Sequence, residues 1–251
     1  MAGVKSVERA IALLRAVAEG DRGLVDLAAA TDLPTSTTAR MLATLEDLDA
    51  LTRSEDGRYQ IGVTVRGLAE ADAGQPTLRD LALPFMHDLA LALDEAIGLS
   101  LVCGGDNLTI AQVDIPRPVQ AENWEDTRWP LTDGAAGYAV VSTWTPDEIE
   151  HFIAGHPDVP DLAERIAAVP ASGVWWSEGS YVEGLTSAAV SLPDAGGRAF
   201  GVLYAYGPSY RFPDEAHVRP VEEELTASAN RLATAWRSRA GNAAPRKDEH
   251  Q

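Results

Sequence analysis

The chain has 251 residues, enough for one large or two modest domains, and 45% of them are hydrophobic, so it can bury sizeable cores. Its single cysteine, Cys103, excludes an internal disulfide framework and a cysteine-rich zinc site; with no signal-like apolar segment and no apolar run near ~18 residues, a soluble cytoplasmic protein is expected. The formal net charge of −18 excludes strong bulk attraction to nucleic acid, so any DNA-binding surface has to be local. From Val7, the residues Ala10, Ile11, Leu14 and Val17 recur at helical spacing behind a Ser6 cap, predicting a first amphipathic helix that ends at Gly20. Val25 to Thr31 predicts a second helix, and Asp32-Leu33-Pro34 a turn. A third helix follows, with Pro34 suited to its first turn and Leu42 and Leu45, joined by Met41 and Leu48, on the inward face. Thr35, Ser36, Thr37 and Arg40 then point outward, where such side chains reach phosphates and base edges. Leu51-Thr52-Arg53 and Arg58-Tyr59-Gln60-Ile61, joined through Asp56-Gly57, predict a small hairpin, the wing of a winged helix-turn-helix.

Val63 to Ala73 reads as a linker helix interrupted by Gly74-Gln75-Pro76, the expected domain boundary. Leu78, Leu81, Leu89 and Leu93 continue a helical pattern that Pro84 should kink or restart. Residues 97–102 and 108–113 read as strand, turn, strand, with Val119-Gln120-Ala121 as a further short strand. Thr145-Pro146-Asp147-Glu148 is a capping box opening a short helix, and another helix is expected over 161–169. Strands at 174–177, 185–191 and 199–206 complete an antiparallel sheet, and Val218, Val221, Leu225, Ala229, Leu232 and Trp236 mark one face of a long last helix. The organisation is α+β, and the polar residues 241–251 are expected to be a disordered tail.

Ser6-Val7-Glu8-Arg9-Ala10, Leu33-Pro34-x-Ser36-Thr37-x-x-Arg40-x-Leu42-x-Thr44-Leu45 and Gly57-Arg58-Tyr59-x-Ile61-Gly62 resemble the winged-helix half of the IclR transcriptional regulators. Pro130-Leu131, Gly137 with Ala139, Gly184-Leu185 and Tyr206-Gly207-Pro208-x-x-Arg211 are similar to that family's ligand-sensing half. The resemblance implies a winged helix-turn-helix DNA-binding domain over 1–62, a linker helix over 63–76 and a GAF-like antiparallel-sheet effector-binding domain over 77–240. It implies a ligand-responsive repressor of a catabolic operon, sensing a small aromatic or organic-acid-like metabolite. Its partners would be a palindromic double-stranded operator, a small-molecule effector and further copies of itself, as homodimers that pair into tetramers, with no membrane and no cofactor. Thr35, Ser36, Thr37, Arg40, Arg53 and Arg58 would contact DNA. Residues 1–75 nevertheless carry eight basic against twelve acidic side chains, net −4, although residues 33–45 contain no acid. Fewer phosphate contacts and a shallow salt dependence are therefore expected.

All six tryptophans lie beyond residue 123, where large rings ordinarily fill the core of a sheet domain. Trp175 and Trp176 cannot both face one way on a strand, so one of them is expected to be exposed, at an interface or at a pocket mouth. The family's effector site maps onto Ala135 and Ala136 in the turn before a helix, and onto Ser177, Glu178, Ser187, Tyr204 and Tyr206 on later strands. Tyr204 and Tyr206 stand where relatives carry small hydroxyl residues. They would line the cup with flat apolar walls and phenol donors, and no Arg or Lys in these segments meets a carboxylate. A small aromatic effector, phenolic or neutral rather than strongly anionic, follows if the strand is regular; otherwise Tyr204 and Tyr206 split between core and surface. No nucleophile elbow, Walker loop or dinucleotide fingerprint is present, and His151 and His156 diverge on a helix, so neither catalysis nor a metal is expected. The acidic balance supports one alternative, a ligand-binding or scaffold protein with weak or lost DNA binding.

Overall fold

A computed structural model describes residues 4–20, 22–70, 76–103, 105–116, 122–213 and 217–242. The chain divides into two compact units, residues 1–75 and 76–251. Val119 to Ala121, the boundary at Gly74 and Gln75 and the tail from residue 243 lie outside the described residues.

The first unit begins with helices α1 (Lys5–Ala18), α2 (Leu24–Ala30) and α3 (Thr35–Asp47), followed by strands β1 (Leu51–Arg53) and β2 (Tyr59–Ile61) and helix α4 (Val63–Glu70). Leu13, Leu27 and Leu42 are fully buried at its centre, each contributing about 2–3 kcal/mol of apolar burial. Helix α1 buries Leu13, Ala16 and Val17, whereas Ile11 is exposed, so the face expected from Ala10, Ile11, Leu14 and Val17 is rotated. The cause is a second apolar stripe, Val4, Val7 and Ile11, which helical spacing alone cannot tell from the inward one. Ser6 is not the cap: the helix starts at Lys5, and the Val4 carbonyl receives the Val7 and Glu8 N–H groups. Pro34 is the cap residue of α3 rather than its first helical residue, and its carbonyl accepts from the Thr37 and Thr38 N–H groups and the Thr38 hydroxyl. Leu48 is exposed, not inward, because the chain turns at Asp49 with φ +52°. The expected hairpin forms, with Leu51 opposite Ile61 and Arg53 opposite Tyr59. In the linker segment the described helix ends at Glu70.

The second unit is built on a six-stranded antiparallel sheet of order β5-β4-β3-β8-β7-β6. Its strands are β3 (Ala96–Cys103), β4 (Asp106–Val113), β5 (Arg128–Pro130), β6 (Trp175–Glu178), β7 (Leu185–Pro193) and β8 (Ala199–Pro208). Helices α5 (Leu78–Leu93) and α9 (Val218–Asn242) cover one face, with Met86, Leu89, Leu225 and Leu232 packed on Ile97, Leu99, Leu203 and Ala205. Helix α6 (Gly134–Val141) lies on the other, backed by α7 (Pro146–Ala154) and α8 (Leu162–Ala167). Covering both faces explains the unbroken buried run from Gly201 to Gly207 on the central β8. It also resolves the tryptophan pair. Trp175 is buried under α6, and Trp176 packs on the opposite face, where its indole N–H donates to Glu222 of α9 at 3.0 Å. Pro84 does not restart α5, which runs through it as one helix; the proline is exposed, so water can serve the carbonyl that its missing N–H leaves free. The capping box at Thr145 forms as its sequence predicts. Among the described residues no helix is long and apolar enough to cross a membrane.

Candidate functional site

In the first unit, Thr35, Ser36 and Arg40 are exposed on the leading turns of α3 and Thr37 is half-buried. Arg40 forms no ion pair among the described residues, and its helix carries no acid before Glu46. Thr38, between the outward residues, is wholly buried and spends its hydroxyl on the Pro34 carbonyl. At the wing the two arginines differ. Arg53 is exposed with its guanidinium 5.6 Å from the centre of the Tyr59 ring. Arg58 is tied to Asp56 at 3.3 Å, and the Ser54 hydroxyl, with smaller help from Arg58, holds the Asp56 carboxyl below the usual range. The acid beside Arg58 offsets part of that arginine's attraction for a phosphate, an effect that water screens because both side chains are more than half exposed.

In the second unit, the concave face under α6 carries two polar clusters. In one, Ser177 and Ser187 are cross-strand partners with hydroxyls 2.9 Å apart, and the Ala135 N–H donates to the Ser177 hydroxyl at 3.0 Å. Ala135 and Ala136 belong to the first turn of α6 itself, not to the turn before it. In the other, the Tyr204 hydroxyl lies 3.0 Å from Thr109 Oγ1, which also accepts from Trp129 Nε1 at 3.3 Å. Tyr204 and Tyr206 are both buried on this face, as a regular β8 requires, with ring centres 5.9 Å apart. Tyr206 stacks on Trp124 at 4.8 Å, and its buried hydroxyl has no partner among the described residues. Glu178 is exposed at the end of edge strand β6 and does not join the clusters. Burial pushes the phenols of Tyr181, Tyr204 and Tyr206 up, so all three are neutral donors at ordinary pH.

Three residues that sequence reasoning did not single out for the cup complete its wall: Trp124, Trp129 and Tyr181. The Tyr181 ring lies 4.7 Å from that of Trp129, and its hydroxyl donates to the Asp133 carbonyl. These rings close the cup. A space of about 30 Å³ remains between Ala136, Ser187, Tyr204 and the tryptophans, and a second of about 30 Å³ beside Ser177 and Leu185. Each has room for a water and no more. A wider chamber of about 320 Å³ adjoins at Trp124 and Tyr206, bounded by Glu95, Asp114 and Arg211. Arg211 is committed to Glu95 through two bonds of 2.6 Å, and Arg165, which donates to the Tyr138 hydroxyl, lines neither the cup nor the chamber, so among the described residues no uncommitted cation lines them. Among the described residues no group of three or more His, Cys, Asp or Glu side chains could hold a metal. His156 turns its Nδ1 to the Phe152 carbonyl, which explains it as a helix-end contact.

Gly98 is what lets Tyr204 lie in the cup. It is Tyr204's cross-strand partner, and a Cβ there would stand 2.2 Å from Cζ of the tyrosine. Gly98→Ala is expected to lift the ring off the strand, break its bond to Thr109 and cost about 1–3 kcal/mol in urea unfolding, the ordinary range for overpacking. Adding Tyr204→Ser should recover part of that loss; a double variant as unstable as the sum of the two singles would show that the clash is not with Tyr204.

Two family models match the chain: the IclR helix-turn-helix domain over residues 6–55, and the bacterial transcriptional regulator IclR C-terminal domain over residues 73–234. The chain is 25% identical over 229 residues to the HTH-type transcriptional repressor AllR of Salmonella typhimurium, an alignment covering 86% of this chain and 84% of the relative. It shares its fold with an IclR family transcriptional regulator from Brucella abortus, with a TM-score of 0.69, 22% identity and coverage of 93% and 92%. An IclR homologue from Microbacterium hydrocarbonoxydans, solved with 4-hydroxybenzoate, has the same fold with a TM-score of 0.59, 21% identity and coverage of 93% and 99%.

Proposed function

The chain belongs to the IclR family of DNA-binding transcriptional regulators, and from that premise we propose that it represses a catabolic operon in the cytoplasm until a small aromatic metabolite enters its sensor unit. Thr35, Ser36, Thr37 and Arg40 read the operator from α3, and Arg53 supports the wing. Arg58, paired with Asp56, contributes less. The stripe Val4, Val7 and Ile11, exposed at 65%, 58% and 44%, supports a second copy of the chain as the partner of α1. A two-fold pair reads a palindrome with half-sites spaced by helical turns.

One observation carries the effector class: a closed cup walled by Trp124, Trp129, Tyr204 and Tyr206, with Arg211, the arginine bordering the adjoining chamber, already committed to Glu95. Flat apolar walls suit a ring, and neutral phenol and serine hydroxyls suit one uncharged polar group. The 4-hydroxybenzoate in a protein of the same fold supports an aromatic occupant. With no uncommitted cation among the described residues that line it, this cup favours the phenolic end of such a molecule over its carboxylate. Titration calorimetry against phenols, benzoates and short keto acids should rank phenols first, with binding that weakens the operator complex. Tight binding of glyoxylate or pyruvate alone would overturn the aromatic assignment.

A further inference from the structure

We propose that Tyr181 is a built-in occupant of the effector cup, seated where a phenolic effector sits, and that the effector binds by exchanging with it. The inference rests on the reading of this concave face as the effector site, and adds the ligand's polar group and the residue it displaces. The seat of the ring is specific. A Cβ at Gly134 would stand 2.3 Å from the Tyr181 ring, so the ring lies directly on the backbone that opens α6, with Trp129 as its other wall. Its hydroxyl donates to the carbonyl of Asp133, whose carboxylate caps the same helix by accepting from the Gly134 N–H at 2.8 Å. The polar end of the seat thus offers the Asp133 carbonyl as acceptor and the Gly137 N–H as donor. A phenolic O–H, which donates and accepts through one oxygen, fits both, and this points to a phenol as the ligand class.

The surroundings are those of an exchangeable group. The two spaces of about 30 Å³ flank Tyr181, which lines both together with Ser187 and Tyr206. Withdrawing the ring joins them into one space, and an apolar cavity of about 150 Å³ is known to accept benzene. The ladder between β6 and β7 closes at Glu178 opposite Thr186, so Tyr181 rides on a connection outside it. That connection is bounded by Gly179 at φ +68° and Gly184 at φ +77°, each with open space on its Cβ side, and residues 182–184 are exposed. The connection can thus move without breaking the sheet. Val182 borders the 320 Å³ chamber, which gives a route for the incoming ring.

Calorimetry of the full chain with 4-methylphenol and toluene tests the exchange. Tyr181→Ala should bind 4-methylphenol at least tenfold tighter than the natural chain, because no side chain competes, and toluene should gain less because it brings no donor to the Asp133 carbonyl. Tyr181→Phe, which keeps the ring and loses its anchoring hydrogen bond, should gain a few-fold and decides the question if Tyr181→Ala does not fold. Equal or weaker 4-methylphenol binding by the variants overturns the exchange, and no binding by any of them overturns the phenol assignment with it. Ser187→Leu separates this from the underlying reading. Binding abolished by Ser187→Leu without tightening in the Tyr181 variants sinks the exchange alone, whereas binding that survives Ser187→Leu sinks the cup as the effector site.

Discussion

Arg40→Ala is expected to abolish the sequence-specific shift of an operator fragment while leaving the unfolding midpoint unchanged. Arg40 is exposed, has no carboxylate partner among the described residues and lies outside the core of the first unit, so its removal disturbs no packing. A bidentate arginine–guanine contact discriminates by about 1–3 kcal/mol; two copies in a dimer double that to about 2–6 kcal/mol, roughly 30-fold to more than 10⁴-fold. Arg40→Lys keeps the charge and loses the fork, so it should retain weak general binding and lose most of the discrimination. A shift by Arg40→Ala equal to that of the natural chain would move the reading residues elsewhere. Absence of any shift by the natural chain on DNA upstream of its own gene would favour the ligand-binding or scaffold alternative.

The same experiment run across salt concentrations addresses the acidic balance. With net −4 over residues 1–75 and Arg58 held by Asp56, few phosphates are neutralised. The plot of log affinity against log salt should be shallow, and a slope near about −10, as for a strongly basic repressor, would contradict the contact set proposed for α3 and the wing.

Elements whose signals are local were legible from the residues alone. The Thr145 capping box and the Asp56-Gly57 hairpin each depend on a few adjacent side chains, and both form as expected. What failed depended on what covers a surface. Helix α1 has two apolar stripes, and only tertiary packing selects Leu13 over Ile11 for the core. Trp175 and Trp176 both find cover because helices lie on both faces of the sheet, which the pattern of a single strand does not specify. The edge strand β5 has three residues and includes Pro130, too short and too broken for an alternating pattern to register. The cup followed the same division. Resemblance reached Ser177, Ser187, Tyr204 and Tyr206, which the fold brings together, and Glu178, which it leaves exposed. Trp124, Trp129 and Tyr181 come from connections and an edge, whose positions no periodicity specifies.

The largest loss of stability in the second unit is expected from Arg211→Met. Glu95, just ahead of β3, is only 6% exposed, and both its oxygens are taken by Arg211 Nε and Nη2 at 2.6 Å. The carboxylate has its seat because residue 207 is glycine; a Cβ there would stand 2.5 Å from Glu95 Oε2. Its bonds to Glu95 push the Arg211 guanidinium further above the ordinary arginine range, so the guanidinium stays charged. Removing Arg211 leaves a buried carboxylate without its counter-charge, a change that typically costs about 3–5 kcal/mol. For a unit of this size that is about 6–20 °C in Tm. Removing both partners is a different experiment. Glu95→Leu combined with Arg211→Met takes away the charge that needed compensation, and should recover most of the loss, since apolar replacement of a whole buried pair is often neutral. A cost under about 1 kcal/mol for Arg211→Met alone would place the pair with solvent-exposed ones, where the arginine contributes little to stability. Both residues also border the chamber beside Tyr206. If the natural pair is what keeps a cation from an incoming ligand, Glu95→Leu with Arg211 left intact should for the first time give the sensor unit measurable affinity for benzoate.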